Sequence, residues 1–506
     1  MHYTKEDSIL NNSQDTLNPL NKKTAPIQDN CVGLEYPIKV LQIGEGNFLR
    51  GFCDWMIHQC NKKGYFQGSI AVTQPRPAGK EKIDQLKEQD GLYTLLTRGV
   101  KNGDTVTSSE VISVFSQVIN PYEEWNTFLQ LAANPTLEFV ISNTTEAGLN
   151  YQPTLLEEGV PIQSFPGKLT LFLYHRYLHF SGSTEKGLTM LPCELLERNG
   201  DTLKECVLRY SKEWELPEAF IKWIKENNLF LNSLVDRIVT GFPKAEADAL
   251  FTAWGYEDSL LNTAEPYHFW AIEGNSELDH LLPFKKAGLN VHWVKDLSPY
   301  QTRKVRILNG AHTLMALRGI LSGMETVKEF MENSNFSYLL HEVIKKEVIP
   351  STQGDFNENK VYAEEVFERF TNPFIHHRLT DISLNSLSKF KHRLLPTLKS
   401  YTDLNGTLPP GIVQAFAVLI RFYKIEKLKG TWTGEDFKGY PYILKDEEYV
   451  LEFYREQWLQ YQENQISLLQ LVENILGNKG FWDEDLNHIE GLSNLVHKHL
   501  NEIIKP

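Results

Sequence analysis

Lys304, Asn309 and His312 lie close together in one segment of the chain, and residues of these types can do chemistry on a hydroxyl or carbonyl group. If the segment is an α-helix, each residue turns by about 100°, so Asn309 lies roughly 140° and His312 roughly 80° from Lys304. The three polar groups then share one broad face. Val305 and Leu308 fall within the same arc, so we expect this face to be turned inward.

Hydride transfer between an alcohol carbon and a carbonyl carbon needs a base for the hydroxyl proton and a donor for the developing oxyanion. A lysine acts as that base only when burial or neighbouring cations lower its pKa from about 10.4 toward neutrality. We therefore interpret Lys304 as a candidate base and Asn309 as an amide donor to the substrate oxygen. His312 is a candidate for orienting the substrate or the lysine. The alternative is a basic helix with its cations in solvent and one histidine in the core.

A second candidate site is a glycine turn that follows the first predicted strand. Gly44 and Gly46 come directly after residues 37–43, a run rich in β-branched residues, and before a predicted helix start. In such a turn the first glycine permits the sharp bend, and the second lets the backbone approach a pyrophosphate at the helix N-terminus. Leu49 replaces the third glycine of the usual dinucleotide fingerprint, so a simple strand–helix turn remains the alternative.

The end of the second predicted strand, 69–73, is where dinucleotide-binding proteins often carry an acidic residue for the ribose hydroxyls. This chain has Thr73 and Gln74 at that point, followed by Arg76. Arg76 could meet the 2′-phosphate of NADP, or it could be a solvated loop cation. These residues therefore leave the choice between NAD and NADP open.

The predicted elements divide the chain into an α/β part and a helical part. Four predicted strands alternate with helical patterns, which is typical of a parallel sheet. After about residue 298, long amphipathic stretches dominate and strand signals nearly vanish. The predicted strands are 37–43, 69–73, 137–142 and 188–191. The predicted regions are a mobile, polar N-terminal tail (1–34), a dinucleotide-binding Rossmann-type domain (35–290) and a helical substrate and catalytic domain (291–506).

The composition excludes several classes of protein. The chain has 506 residues, 41% of them hydrophobic and 23% charged, which is typical of a folded protein of two to four domains. No apolar run approaches the roughly 18 residues of a membrane span, and the polar N-terminus lacks a secretory signal. A net charge of -14 argues against a nucleic-acid surface, and five scattered cysteines favour reduced thiols. We therefore expect a cytoplasmic enzyme with no nucleic-acid or membrane partner.

No metal site is predicted. His376 and His377 are adjacent, so their rings would diverge on a helix and form a poor chelate. Cys193 lacks a neighbouring base that would activate its thiol, so we interpret it as structural.

Five ordered motifs resemble those of the polyol-specific long-chain dehydrogenases, the mannitol dehydrogenase family. Lys304-x4-Asn309-x2-His312 is similar to the catalytic signature of that family, and Gly44-x-Gly46-x-Phe48-x-Arg50 is similar to its dinucleotide turn. The resemblance runs from about residue 36 to about residue 400, and five ordered motifs are far more specific than any one of them. The intermediate motifs are Thr145-Glu146-Ala147-Gly148, Asn199-Gly200 and Asn232-Ser233-Leu234-Val235-Asp236-Arg237-Ile238.

The resemblance implies an N-terminal Rossmann-type domain, a helical C-terminal domain and metal-independent chemistry with NAD as cofactor. Within the family, residues 42–55 and 304–313 look like those of a subgroup that interconverts D-tagaturonate and D-altronate in hexuronate catabolism. The implied substrate is therefore an anionic sugar acid. Lys304 is implied as the general base, with Asn309 and His312 placing the reacting oxygen. The residues implied around the cofactor are Gly44, Gly46, Asn47, Phe48, Arg50, Thr73, Asn143 and Thr144.

The resemblance also implies residues around the substrate. Asp236 is similar to the family's acidic neighbour of the site, and we expect the substrate carboxylate to meet Arg378 or Lys389 of the helical part. One departure is that the family's frequent Cys-Asp-Asn is Cys193-Glu194-Leu195 here, which removes an amide donor. Asn199 either replaces that donor or only caps the following helix.

Other functions remain open at this point. A fructuronate (mannonate) reductase or a mannitol-type polyol dehydrogenase would carry similar motifs. A non-catalytic dinucleotide sensor would keep Gly44 and Gly46 but would need no Lys304, and a methyltransferase would use only the glycine turn. The complete set of Lys304, Asn309 and His312 favours an oxidoreductase.

Overall fold

A computed structural model describes residues 17–25 and 33–504, and these residues form two compact units. The first unit contains 17–25, 33–98 and 107–295, and the second contains 99–106 and 296–504. The division after residue 295 lies close to the boundary that we predict at 290. The short segment 99–106 was not expected in the second unit, where the Gly103 amide donates to Glu368 Oε1 at 2.7 Å.

The first unit is built on a six-stranded sheet in which all neighbouring strands pair in parallel. In chain order its strands are arranged 3-2-1-4-5-6, which is the doubly wound order of Rossmann-type folds. The four predicted strands are all present, so the predicted α/β class is confirmed. The strands, from one edge to the other, are Phe115–Ile119, Ser69–Thr73, Ile38–Ile43, Phe139–Ser142, Thr189–Pro192 and Leu229–Phe230.

Helices bury both faces of this sheet, as the strand sequences require. Successive residues of a strand point to opposite faces, and accordingly Val40 belongs to one hydrophobic cluster while Leu41 and Ile43 belong to another. A strand buried on both faces does not alternate strictly between apolar and polar residues, and accordingly the polar side chains of this strand are enclosed as well, Lys39 half-buried and Gln42 fully buried. The α-helices of this unit are Asn47–Arg50, Cys53–Lys62, Lys80–Glu88, Trp125–Gln130, Phe165–His179, Asn199–Glu213, Glu218–Asn227 and Ala247–Trp254.

Residues 17–25 differ from the polar tail that we predict over 1–34. Asn18–Pro19 pairs in parallel with Tyr256–Glu257, and Leu20 is fully buried against Leu92 and Tyr256. Leu20 is the one fully buried apolar side chain of residues 17–25, with Ala25 packed beside it, and two such residues give no periodicity that a sequence pattern could reveal. The remaining tail residues, 1–16 and 26–32, lie outside the described residues. The first 300 residues also form strands outside the six-stranded sheet: Tyr93–Lys101, Asp104–Ile112, Ser233–Asp236, Asn262–Ala264, Phe269–Glu273 and Val291–Val294.

The second unit is mainly helical but is not all-helical as predicted. Ile425–Leu428, Thr431–Glu435 and Pro441–Ile443 form an antiparallel sheet, and the first two strands are joined by a two-residue turn in which Lys429 and Gly430 have φ of 48° and 83°. A two-residue turn with two positive φ angles matches the twist of the strands of a hairpin. The glycine of the Lys429-Gly430 pair is the sequence feature that could have indicated this turn.

The helices of the second unit include two π-helical segments, Lys304–Asn309 and Ile344–Val348. None of the helices in the part of the chain that the structure describes is long and apolar enough to span a membrane. The α-helices are Ser298–Arg303, Gly310–Leu321, Val327–Glu332, Ser334–Val343, Phe356–Phe370, Leu379–Ile382, Ser386–Arg393, Leu395–Asn405, Pro410–Phe422, Glu448–Gln462, Leu468–Leu476, Lys479–Trp482 and Leu492–Ile504.

Candidate active site

The first glycine of the turn after Ile38–Ile43 is required by both backbone angle and space. Gly44 has a φ of 138°, and an added Cβ would lie 2.8 Å from the backbone oxygen of Asn143. Its amide donates to the Thr73 oxygen at 2.8 Å, so the turn lies against the ends of both neighbouring strands. Only glycine adopts this conformation without strain.

The second glycine faces open space. Gly46 has a φ of -67°, which any residue can adopt, and an added Cβ would meet no atom within 4 Å. Asn47 and Phe48 follow it in a half-buried position, with the Phe48 ring stacked on Phe52 at 5.0 Å. The backbone at Gly46 is therefore open to a group that approaches it closely, as a pyrophosphate would.

Arg50 supports this turn from inside. Its Nε donates to the Glu45 oxygen at 3.2 Å, one Nη donates to the Leu260 oxygen, and the other donates to Asn47 Oδ1 at 2.7 Å. The guanidinium is 1% exposed and lies over the Tyr93 ring. Arg50, which we expected among the cofactor contacts, is thus committed to holding the turn.

An acidic side chain that the sequence analysis missed reaches the end of the second strand. An added Cβ on Gly79 would lie 2.4 Å from Glu45 Oε1 and 2.7 Å from the Gln74 Cβ, although Gly79 has an ordinary φ of -78°. The glycine at 79 is therefore needed for space. Burial raises the pKa of the Glu45 carboxyl, and nearby cations oppose that rise: Lys82, Arg50 and Arg76.

Buried polar atoms at the same point lack hydrogen-bond partners within the part of the chain that the structure describes. Thr73 and Gln74 are fully buried, and among the described residues Thr73 Oγ1 and Gln74 Oε1 have no hydrogen-bond partner. Buried acceptors are normally satisfied, so these two atoms and Glu45 Oε2, which is also unsatisfied, fit the hydroxyl donors of a ribose. The glycine turn thus brings a carboxyl group to the end of the second strand, where dinucleotide-binding proteins often carry one.

The loop after Phe139–Ser142 is held by a buried carboxylate. Glu194 accepts hydrogen bonds from the Thr144 amide at 2.9 Å and from Ser142 Oγ at 3.2 Å. Asn143 Nδ2 donates to the Cys193 oxygen at 2.8 Å. Burial raises the pKa of Glu194 to about 7. Asn143 and Thr144, both candidates for cofactor contacts, are therefore positioned by their neighbours at 193 and 194.

Asn199 does not replace the missing family amide. Its Nδ2 donates to the oxygens of Pro192, Glu194 and Ser233 at 3.0–3.1 Å, and its Oδ1 accepts from the amides of Gly200 and Ser233. The side chain is 1% exposed, so its hydrogen-bonding groups are fully used inside the unit. Asp236, the neighbouring candidate, is 8% exposed at the end of Ser233–Asp236.

In the second unit the candidate catalytic residues lie on a wider turn than we predicted. Lys304–Asn309 is π-helical, with backbone bonds from i to i+5, and the α-helix resumes at Gly310. In an α-helix, side chains four residues apart are neighbours on one face. A π turn contains one additional residue, so side chains five residues apart become the neighbours. Lys304 and Asn309 are therefore side by side, and the separation of roughly 140° deduced for an α-helix was too large.

His312 lies on the following helix, half-buried against two rings. Its ring centroid is 4.7 Å from Phe370 and 4.8 Å from His377, which it meets edge to face. His377 was set aside because we placed it on a helix, but residues 373–377 form an irregular connection. Burial lowers the pKa of His377. Within residues 17–25 and 33–504, no group of three or more His, Cys, Asp or Glu side chains could hold a metal ion.

The two candidates for the substrate carboxylate lie in different surroundings. Arg378 is exposed at the start of Leu379–Ile382, where it lines a cavity of about 680 Å³ together with Asp436 and Lys438. Lys389 is half-buried and donates to the Ile382 oxygen at 2.8 Å.

Arg393, one turn beyond Lys389, is a residue that the sequence analysis missed. Its Nη1 lies 3.4 Å from the Asn309 oxygen and 3.2 Å from Thr313 Oγ1. No spacing rule links residue 393 to residue 309, so only the packing of the helices could reveal this contact.

Sequence comparison covers both units. Residues 38–286 match the mannitol dehydrogenase Rossmann domain, and residues 296–504 match the mannitol dehydrogenase C-terminal domain. The chain is 44% identical to the altronate oxidoreductase of Bacillus subtilis, with 93% of each chain covered. It is also 44% identical to that of Halalkalibacterium halodurans, with 90% of this chain and 88% of the relative covered.

Solved structures share the fold at lower identity. A D-sorbitol dehydrogenase in substrate-free form aligns with a TM-score of 0.76 at 22% identity, covering 96% of this chain and 98% of that one. The mannitol 2-dehydrogenase of Pseudomonas fluorescens, in a ternary complex with NAD and D-mannitol, aligns with a TM-score of 0.66 at 19% identity, covering 96% of each chain. The two domain matches and the full-length relatives agree, and the chain belongs to the mannitol dehydrogenase family.

Proposed function

We propose that the protein is an NAD-dependent oxidoreductase that interconverts D-tagaturonate and D-altronate. The observation that carries this proposal is the 44% identity to two altronate oxidoreductases over at least 90% of the chain. The substrate is then an anionic sugar acid, and the reaction moves a hydride and a proton between one carbinol and its carbonyl.

Lys304 is the proposed acid and base. In the reductive direction its ammonium group donates a proton to the carbonyl oxygen as that carbon receives a hydride, and in the oxidative direction its amine takes the proton back. The Asn309 amide donates to the same oxygen, and His312 orients the substrate. The π turn supports this assignment, because it makes Lys304 and Asn309 neighbours and because such turns are frequent at functional sites.

The cofactor that supplies or accepts the hydride when bound is NAD. Gly44 and Gly46 form the turn that admits its pyrophosphate, with Asn47, Phe48, Thr73, Asn143 and Thr144 as the proposed surrounding residues. The carboxylate of Glu45 at the end of the second strand favours ribose hydroxyls and repels a 2′-phosphate. This carboxylate supports NAD over NADP.

Substrate contacts outside the catalytic set are Asp236 and Lys389. The exposure of Arg378 and its position beside Asp436 and Lys438 argue against its role in binding the substrate carboxylate. We also place the protein in the cytoplasm with no nucleic-acid or membrane partner. The four described cysteines are free thiols, which supports a reducing compartment.

A substrate panel tests the proposal. Purified protein is assayed with D-tagaturonate, D-fructuronate and D-fructose, each with NADH and with NADPH. We expect the highest kcat/KM with D-tagaturonate and NADH. Preference for D-fructuronate or D-fructose would replace the substrate assignment with a mannonate-forming or mannitol-type enzyme, and NADH binding without turnover of any keto sugar would indicate a sensor.

A further inference from the structure

The helix Ser386–Arg393 packs against the catalytic segment at its C-terminal end. An added Cβ on Gly310 would lie 3.4 Å from Leu394 Cδ2 and 3.9 Å from the Arg393 oxygen. The close approach brings Arg393 Nη1 to the Asn309 oxygen and to Thr313 Oγ1. A cation from another helix is thereby fixed beside the residue proposed to hold the reacting oxygen.

Arg393 is one of three partly buried cations of this region, and two of them, Arg393 and Arg306, have no counter-charge nearby in the described part of the chain. Burial lowers the pKa of Arg393, of Lys389, and of Arg306, the last to about 10. Within the described residues, neither guanidinium forms an ion pair, and Arg306 donates instead to Thr397 Oγ1 at 3.0 Å. The carboxylate that acts on Lys389 is Asp446, which accepts hydrogen bonds from Tyr423 and Leu387.

Partly buried cations without a counter-ion are unfavourable, particularly in a protein that has a surplus of carboxylates. A bound anion would remove this penalty. Of the three cations, Lys389 is held by the Ile382 oxygen and Arg306 faces Thr397, whereas only Nη1 of Arg393 is engaged among the described residues. The remaining N–H groups of Arg393 lie in the plane of the guanidinium. They can donate two parallel hydrogen bonds to the two oxygens of one carboxylate.

We propose that Arg393 binds the carboxylate of the substrate and so selects a keto sugar acid over the corresponding neutral ketose. This inference rests on the proposed function, because it assigns the recognition of the acid group in that reaction. The carboxylate and the reacting carbonyl belong to one short carbon chain, and Arg393 is adjacent to Asn309, so one substrate reaches both residues. A neutral ketose carries a hydroxymethyl group in place of the carboxylate and loses the charge-assisted pair.

The test compares D-tagaturonate with D-tagatose, its neutral counterpart, in the wild type, Arg393→Ala, Arg393→Lys and the control Arg455→Ala. Arg455 is an exposed cation of Glu448–Gln462 in the same unit. We expect Arg393→Ala to lower kcat/KM for D-tagaturonate by about 10- to 100-fold, mainly through KM, and to leave kcat/KM for D-tagatose within about twofold. Arg393→Lys keeps the charge without the planar edge and should recover part of the loss.

The outcomes distinguish a role of Arg393 in selecting the acid group of the substrate from a role in holding the turn at Asn309. An equal fall in kcat/KM for both substrates would show that Arg393 only holds the turn at Asn309, and unchanged kcat/KM for both would show that it has no role in the reaction; either result overturns the assignment. The Kd of NADH, measured by fluorescence, and the Tm show whether the variants are folded. If the wild type reduces no hexuronate, the proposed function fails and this inference fails with it. An active wild type with an unchanged ratio in Arg393→Ala overturns only the role of Arg393.

Discussion

At the level of residues, we expect a substitution of Lys304 to have the largest effect on catalysis. It is the first residue of the π turn, and its neighbour across that turn is Asn309. An acid or base that is removed from such a position cannot be replaced by the polar groups that remain, because the proton must move at the reacting oxygen itself.

We expect Lys304→Ala to lower kcat with D-tagaturonate by roughly 10²- to 10⁴-fold, which is the usual contribution of a general acid or base. The Kd of NADH should stay within about twofold, since the glycine turn belongs to the other unit. Steady-state rates and fluorescence titration measure the two quantities. Turnover close to that of the wild type would remove Lys304 from the mechanism.

Glu194 makes the stability of the first unit depend on pH. Burial raises the pKa of this carboxyl to about 7, above its ordinary value of 4.5. A carboxyl whose pKa is raised by folding stabilises the protein fully below the unfolded pKa, and that contribution is lost as pH rises to the folded value. Between pH 4.5 and about 7 the wild type therefore loses stability from this group.

We expect Glu194→Gln to gain stability relative to the wild type as pH rises through that window, by the order of 1–3 kcal/mol. Denaturant unfolding at pH 5 and pH 8 measures the difference. Lys168, whose pKa burial lowers to about 7, is present in both proteins, so its own titration cancels in the comparison. A difference in stability that does not change with pH would contradict a buried, titrating Glu194.

At the scale of elements, the sequence predicts best what depends on short local patterns. The strand at 38–43 was predicted because a short run rich in β-branched residues indicates a buried strand. The π turn was not predicted, because the sequence of Lys304–Asn309 contains no pattern that indicates an additional residue in the turn. The pairing of Glu45 with the end of the second strand and of Arg393 with Asn309 depends on tertiary packing. No local pattern contains that information.

The two glycines of the turn after Ile38–Ile43 have different roles, because the fold requires a glycine at one position and not at the other. Gly44 is fixed by its φ of 138° and by the Asn143 oxygen at 2.8 Å from an added Cβ. Gly46 has neither constraint, because an added Cβ would meet no atom. Substituting each glycine by alanine therefore tests the two requirements separately within one turn.

We expect Gly44→Ala to destabilise the protein by about 1–3 kcal/mol, because a side chain at positive φ is strained and would meet the backbone. Gly46→Ala should leave the Tm within about 2 °C, since substitutions without strain have small effects. It should still weaken NADH binding about tenfold, because the methyl group fills the approach to the backbone. Thermal unfolding and NADH titration measure both variants. Unchanged NADH affinity in Gly46→Ala would contradict a cofactor at this turn.

For the whole molecule, the distribution of charge decides how an anionic substrate arrives. The chain carries a net charge of -14, while three cations occur within four residues at Arg303, Lys304 and Arg306. The acidic surface acts at long range and repels the substrate, whereas the cations of the catalytic segment act close to it. Ionic strength separates the two effects, because the Debye length falls from about 30 Å at 0.01 M to about 8 Å at 0.15 M.

We therefore expect kcat/KM for D-tagaturonate, at saturating NADH, to rise severalfold as ionic strength increases from about 0.01 M to about 0.15 M. At the higher value the distant carboxylates are screened, but the half-buried cations beside Asn309 still act on a bound carboxylate. The neutral D-tagatose feels neither field, so its kcat/KM should stay constant and serve as the control. A fall in kcat/KM for D-tagaturonate over the same range would mean that the catalytic cations, and not the acidic surface, govern the approach of the substrate.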